Sequence, residues 1–152
     1  MRILSFLIAT FFGVGKIPVA PGTWASLAAV PCFYPLIGHP LLHAAVLVLV
    51  YFIGVFACTR LEKDLGEQDP SCAVIDEVLG MGIALLMIPK QWQFLVMAVI
   101  FFRLFDIWKP YPIKKLEKLP GGWGVMTDDL LAGAYALFFI QIGSWFVQVI
   151  LK

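Results

Sequence analysis

Five of the ten acidic residues in this chain, Asp76, Glu77, Asp106, Asp128 and Asp129, abut or interrupt long apolar runs. A carboxylate near a bilayer core is costly unless it is paired, wetted or bound to a cation, so each of the five is a candidate for chemistry. Two of the placements are adjacent pairs, Asp76-Glu77 and Asp128-Asp129. The pattern reads as a metal site at a membrane surface.

The first pair lies in Asp69-Pro-Ser-Cys-Ala-Val-Ile-Asp76-Glu77-Val-Leu-Gly80, where two carboxylates enter an apolar helix. Adjacent helical residues point about 100° apart. That spacing makes one acid a metal ligand and leaves the other to orient a water or a second ion. A cap or dipole interaction at the helix start is the competing explanation. In Phe102-Arg103-Leu-Phe-Asp106-Ile-Trp-Lys109-Pro110, Arg103 and Asp106 are i, i+3 neighbours on a helix that Pro110 stops. Either those two residues form a salt bridge, or Asp106 goes to metal and Arg103 with Lys109 to phosphate oxygens.

The second pair follows Leu119-Pro-Gly121-Gly122-Trp-Gly124, which reads as a flexible glycine loop feeding a double acid at the head of the last helix. Gly80 and Gly133 each follow a pair of acids, and a glycine there lets helices approach closely. In the segment from Gly13 to Leu27, Gly and Pro bar a helix until Thr23, which can cap a run starting at Trp24. The backbone N–H groups of Gly22 to Ala25, with the Thr23 hydroxyl, then offer a phosphate site. A turn and a cap without ligand explain the same residues.

The elements that position these groups are apolar. Hydrophobic residues make up 61% of the 152 positions and charged residues 14%, with a mean hydropathy of +0.92, against about 25% charged in ordinary soluble domains. A net charge of +1 and the lack of a basic stripe exclude nucleic acid as a partner. Cys32, Cys58 and Cys72 are scattered, without the spacing of a disulfide framework or a zinc knuckle. The first nine residues have the basic and apolar parts of a signal peptide but no convincing cleavage site follows, so the N-terminus is expected to stay in the mature protein.

Apolar runs cover residues 3–12, 24–37, 41–58, 78–89, 92–105 and 130–151. Only the third and the last approach the roughly 20 residues of a full span. The first is expected to lie in the interface or re-enter, and the others to need flanking residues, tilt or bilayer thinning. The expected fold is all-α: a polytopic membrane bundle of four to five spanning helices plus a short N-terminal interfacial or re-entrant helix, with residues 1–152 as one domain. A small soluble helical protein is disfavoured, because residues 41–58 carry no charge and the last run has only Gln141, Ser144 and Gln148 as polar relief.

Pairing the runs as hairpins around Gly38-His39-Pro40 and Pro89-Lys90-Gln91 puts every polar segment on one face. That face carries the five acids with Lys16, Arg60, Lys63, Lys109, Lys114, Lys115 and Lys118, and the other only Lys90 and Lys152. The positive-inside tendency makes the first face cytoplasmic. His39 and His43 have the i, i+4 spacing of metal ligands, but Pro40 intervenes and the pair falls on the opposite face.

Together the segments resemble the phosphatidylglycerophosphatase A family of bacterial membrane lipid phosphatases, from about Gly13 to Tyr135. The residues carrying the resemblance are Pro18-Val-Ala-Pro-Gly-Thr23 with Ser26-Leu27, Asp69-Pro with Ile75-Asp76-Glu77-Val-Leu-Gly80, Phe102-Arg-Leu-Phe-Asp106 with Lys109-Pro110, and Gly121-Gly122 with Met126-Thr-Asp128-Asp129 and Ala132-Gly133. The resemblance implies Mg²⁺-dependent hydrolysis of phosphatidylglycerophosphate to phosphatidylglycerol and inorganic phosphate, at the cytoplasmic face of the bacterial inner membrane. On that reading the catalytic candidates are Asp76, Glu77, Asp106, Asp128 and Asp129. Asp76, Glu77, Asp128 and Asp129 are the metal candidates, and Thr23, Arg103 and Lys109 take the phosphate. Cys-x5-Arg and DGxxARxxxxxxxxGxxxD patterns are missing, which sets other phosphatase and phosphotransferase designs aside, while the missing DxDx[TV] pattern weakens a covalent aspartyl-phosphate without removing it. The rival class is a small metal-ion or proton transporter, whose acids would line a path through the bundle.

Overall fold

A computed structural model describes residues 2–150. Leu151 and Lys152, the end of the last apolar run and a cation expected opposite the acids, lie outside them. Among the described residues there are seven α-helices, two short 3-10 turns and no strand. In chain order the helices are α1 (Arg2–Ala9), α2 (Pro21–Phe33), α3 (Pro40–Leu65), α4 (Ile75–Ala84), α5 (Trp92–Trp108), α6 (Ile113–Leu116) and α7 (Gly122–Ile150).

Local signals set most of these boundaries. Pro40 opens α3 at a position where its missing N–H costs nothing. Gly66, at φ 71°, closes the helix by returning its N–H to the Glu62 carbonyl at 2.8 Å. Lys109 closes α5 in the same left-handed conformation, its N–H on the Phe105 carbonyl at 2.8 Å, and Pro110 bars continuation.

The core is organised around α4. Eight of its ten residues are buried, as expected of a helix apolar on every side. It packs on α7 most extensively and also touches α2, α3 and α5, while α1 lies along α3. Gly80 and Gly133 meet where α4 crosses α7: a Cβ on Gly133 would overlap the Gly80 backbone. This is the close approach expected of the two glycines. Asp76 and Glu77, one turn before Gly80, are thereby held against the α7 turn that carries Asp128 and Asp129.

Two expectations change. Only α3 and α7 are long and apolar enough to cross a membrane, by length and composition, among the described residues; the four to five spans read from the sequence are not matched by helix length. Ten residues of α4 reach only about 15 Å at 1.5 Å per residue, half of a hydrocarbon core. The second change concerns α7, which begins at Gly122 rather than at the acids. Gly122 and Gly124 are helical and closely packed, and a Cβ on Gly124 would lie 2.6 Å from the Leu119 carbonyl oxygen. These glycines serve close approach, not loop flexibility.

Candidate active site

All five acids singled out from the sequence line one cleft, with Asp69, Arg103, Lys109, Ser71 and the Ala20-Pro21-Gly22 corner of α2. Its volume is about 450 Å³. Six carboxylates stand there against two cations, a formal excess of four negative charges.

Asp76, Glu77 and Asp129 form the centre, each offering one carboxylate oxygen within 4.8 Å of the others. Asp76 and Glu77 occupy the first turn of α4, and Asp129 the second turn of α7. The divided roles expected of the adjacent acids are therefore not required by geometry, since both reach one point. Asp76 Oδ1, Glu77 Oε2 and Asp129 Oδ2 are buried without a hydrogen-bond partner. Three orphaned acceptors, one on each member of the trio, are costly in a bare protein and fit a hard divalent cation, which takes oxygen ligands.

Electrostatics reinforce this. Burial raises the Asp76 carboxyl well above its ordinary pKa, and the charges of Glu77 and Asp129 add to the effect. Burial also raises Glu77, against the opposing influence of Arg103. Such a group is held ionised only by a nearby positive charge.

The remaining acids face the two cations. Arg103 Nη1 donates to Asp106 Oδ2 at 2.5 Å and stands 3.8 Å from Glu77 Oε1, so the salt bridge read from i, i+3 spacing forms and reaches the trio. Lys109 Nζ donates to Asp128 Oδ2 at 2.6 Å and to Glu117 Oε1 at 3.3 Å. Asp128 Oδ1 accepts the Asp129 N–H at 2.9 Å. Asp128, expected among the metal ligands, is thus turned to Lys109 and stands outside the trio. Neighbouring positions on a helix diverge by about 100°, and here the divergence decides it.

The sequence model of phosphatidylglycerophosphatase A matches residues 7–144. The chain belongs to this family. It is 40% identical to the phosphatidylglycerophosphatase A of Escherichia coli strain K12, over 88% of this chain and 81% of that one. Identity to the Haemophilus influenzae phosphatidylglycerophosphatase A is 39%, over 88% and 85%. A Bacteroides thetaiotaomicron protein with the provisional name phosphatidylinositol-3-phosphatase is 42% identical over 95% and 96%. No solved structure matches the chain significantly.

In this member of the phosphatidylglycerophosphatase A family, Thr23 is not among the residues lining the cleft. Helix α2 starts two residues before it, at Pro21, with Ala20 as its N-cap in the left-handed conformation and no side-chain cap. The N–H groups of Thr23 and Trp24 are both spent on the Ala20 carbonyl, at 3.0 and 3.2 Å. Gly22, not Thr23, lines the cleft: a Cβ there would overlap the Glu77 carboxylate and lie 3.0 Å from Arg103 Nη1. His43 is buried and stacks on Phe33, with ring centroids 5.2 Å apart.

Asp69 and Ser71 line the cleft and were not singled out by charge pattern alone. Asp69 carries a signal in its strained backbone. Ala20, Asp69 and Lys109 are non-glycine residues at φ 49°, 49° and 45°, and all three lie in the cleft wall. Strain of this kind persists where surrounding structure imposes it and clusters at functional sites.

Proposed function

We propose that the cleft hydrolyses the phosphate monoester of phosphatidylglycerophosphate, releasing phosphatidylglycerol and inorganic phosphate in phospholipid biosynthesis. The observation that carries this reading is the Asp76–Glu77–Asp129 trio of unpartnered oxygens, set beside Arg103 and Lys109 in a chain of the phosphatidylglycerophosphatase A family. A cleft with four excess negative charges repels a phosphate dianion unless cations intervene.

Mg²⁺ suits the trio, since it takes one or two carboxylates with waters and substrate oxygens, and when bound it would polarise the phosphoryl group and lower the pKa of water. Asp76, Glu77 and Asp129 would hold it. Arg103, already braced by Asp106 and Glu77, presents a planar guanidinium to phosphate oxygens. Lys109, oriented by Asp128 and Glu117, supplies a second positive charge from a strained position that fixes its backbone. Asp128 positions Lys109 and, through the Asp129 N–H, the loop-side end of the trio.

The same reading places the whole chain, residues 1–152, in the bacterial inner membrane as one embedded domain, with α3 and α7 crossing it. In the hairpin scheme Lys16, Arg60, Lys63, Lys114, Lys115 and Lys118 fall on the face that carries the acids and Lys90 on the other, which supports a cytoplasmic cleft. A diacyl substrate can then stay in the bilayer while its headgroup enters the cleft.

The deciding experiment is phosphate release by the purified protein in detergent micelles, from phosphatidylglycerophosphate and from phosphatidylinositol 3-phosphate, with Mg²⁺ and with excess EDTA. Metal-dependent release from the first substrate is expected. Faster release from the inositol lipid would transfer the assignment to the chemistry in the Bacteroides relative's name. Release from neither, by folded protein, would favour a transporter, against which the gathering of the acids into one cleft now argues.

A further inference from the structure

A second concavity, of about 530 Å³, lies between α1, α3 and the start of α7 and shares no lining residue with the acidic cleft. Its walls are Phe52, Val55, Phe56 and Trp123 with Thr59 and Ser5 of α1, and its rim carries Arg60 and Lys63. Phe52, Phe56 and Trp123 are 57%, 59% and 45% exposed. Arg60 is 3.7 Å from Asp64 in an open i, i+4 pair, and Lys63 has no ion pair among the described residues.

Phe52, Phe56, Arg60 and Lys63 recur at four- and three-residue steps, so they form one stripe along α3, apolar below and basic towards its C-terminal end. Phe52 also borders a smaller, wholly apolar hollow of about 150 Å³ that reaches Val48 and Ile83. From Val48 to Lys63 the stripe is about 22 Å long at 1.5 Å per residue, close to the depth of one bilayer leaflet with its headgroups. The first turn of α7 is fixed to this wall: the Gly122 N–H donates to Thr59 Oγ1 at 2.9 Å, and the Trp123 ring packs 5.9 Å from Tyr51 and 6.4 Å from Phe52.

We propose that this groove holds one anionic phospholipid that is not the substrate being hydrolysed. Its phosphate sits against Arg60 and Lys63, and its acyl chains run over Phe56, Trp123 and Phe52 towards Val48. Length, apolar lining and two cations at one end match an amphiphile of that charge, whereas a bare apolar helix face would take any lipid. The cleft lies on the other side of α7, since Trp123 and Asp128 are five positions and about 140° apart around the helix. The inference does not rest on the phosphatase reading.

The test uses the full chain with Trp24, Trp92, Trp108 and Trp145 replaced by Phe, leaving Trp123 as the single fluorophore, in vesicles of phosphatidylcholine mixed with phosphatidylglycerol. Bromine is placed on the acyl chains of one lipid or the other, and quenching reports which lipid lies against Trp123. A preference for phosphatidylglycerol of about three-fold or more is expected, falling to none in Arg60→Gln/Lys63→Gln and unchanged in Lys109→Gln. Equal quenching by both lipids, or a preference that survives Arg60→Gln/Lys63→Gln, would overturn the proposal. So would a preference lost in Lys109→Gln alone, which would put the lipid in the catalytic cleft. Native mass spectrometry of the chain with all five tryptophans supplies the same comparison if the single-tryptophan protein fails to fold. One phosphatidylglycerol fewer on Arg60→Gln/Lys63→Gln is expected, and an equal count rejects the site.

Discussion

Gly133 sits so close to Gly80 that a Cβ on Gly133 would overlap the Gly80 backbone, while a Cβ on Gly80 would meet the Phe102 ring and the Asp129 carbonyl. Because Asp76 and Glu77 precede Gly80 by one turn and Asp129 precedes Gly133 by one turn, this contact sets the distance between the two halves of the acidic trio. Gly133→Ala should destabilise the protein by about 1–3 kcal/mol, the usual range for overpacking. It should also weaken Mg²⁺ binding. Thermal unfolding in detergent with and without Mg²⁺ measures both, and an unchanged metal-induced shift would break the link between the crossing and the site.

Asp129→Asn and Asp76→Asn each remove one charge from a buried cluster that has too many. Phosphate release should fall about 100-fold or more, as loss of a metal ligand costs at least what loss of its supporting partner does. Stability without metal should rise by a few degrees in Tm, because the substitution relieves repulsion among Asp76, Glu77 and Asp129. The two effects have opposite signs. A variant that loses both activity and metal-free stability would show that the carboxylate has a structural role instead.

The pH dependence follows from the raised carboxyls of Asp76 and Glu77. An acid whose pKa is higher folded than unfolded is kept ionised at a cost, so metal-free stability falls as pH rises from about 4 through the raised folded values. Mg²⁺ offsets that loss and displaces protons as it binds. Its stabilising effect should therefore be larger at about pH 8 than at about pH 5, and calorimetry in buffers of different ionisation heat should register proton release. A Mg²⁺ shift in Tm that is flat across this range would remove the trio as the ligand set.

The acids were legible in the sequence because charge amid apolar runs is conspicuous, and the glycine after each acid pair marked a place of close helix approach. Three features were not. The start of α2 depends on Ala20 adopting a left-handed N-cap, which residue type does not signal, so the cap was assigned to Thr23. The start of α7 was hidden because Gly121-Gly122-Trp-Gly124 has loop composition, while its glycines are held by tertiary contact with Thr59 and with the Glu117 and Leu119 carbonyls. The length of α3 exceeds its apolar run because Arg60 and Asp64 continue the helix on an exposed turn. Helix crossings were visible as small residues, and helix ends fixed by distant partners were not.

Gly22 tests the corner that replaced Thr23. A Cβ at Gly22 would collide with the Glu77 carboxylate and crowd Arg103, both of which end on flexible atoms, so Gly22→Ala should leave the fold intact and displace those two groups. Phosphate release is expected to drop by about ten-fold or more, with Thr23→Ala close to the parent. Equal losses in the two variants would restore Thr23 to the site.

Lys109 and Asp128 form a close ion pair in the cleft, at 2.6 Å, with the Asp128 side chain 5% and the Lys109 side chain 23% exposed. Burial tends to lower the Lys109 pKa, but the hydrogen bond and charge of Asp128, with Glu117 and Asp129, outweigh it and raise the value, so the ammonium stays charged throughout the working pH range. Lys109→Ala should therefore raise KM more than it lowers kcat if the ammonium binds the substrate phosphate. It should also destabilise the fold, because Asp128 is left buried and unpaired, a change that typically costs about 3–5 kcal/mol. Adding Asp128→Asn removes the stranded charge, so Lys109→Ala/Asp128→Asn should regain much of the stability and none of the substrate affinity. The double-mutant cycle separates the two roles. If the second substitution restores KM as well, Lys109 acts only by neutralising Asp128 and does not touch the phosphate.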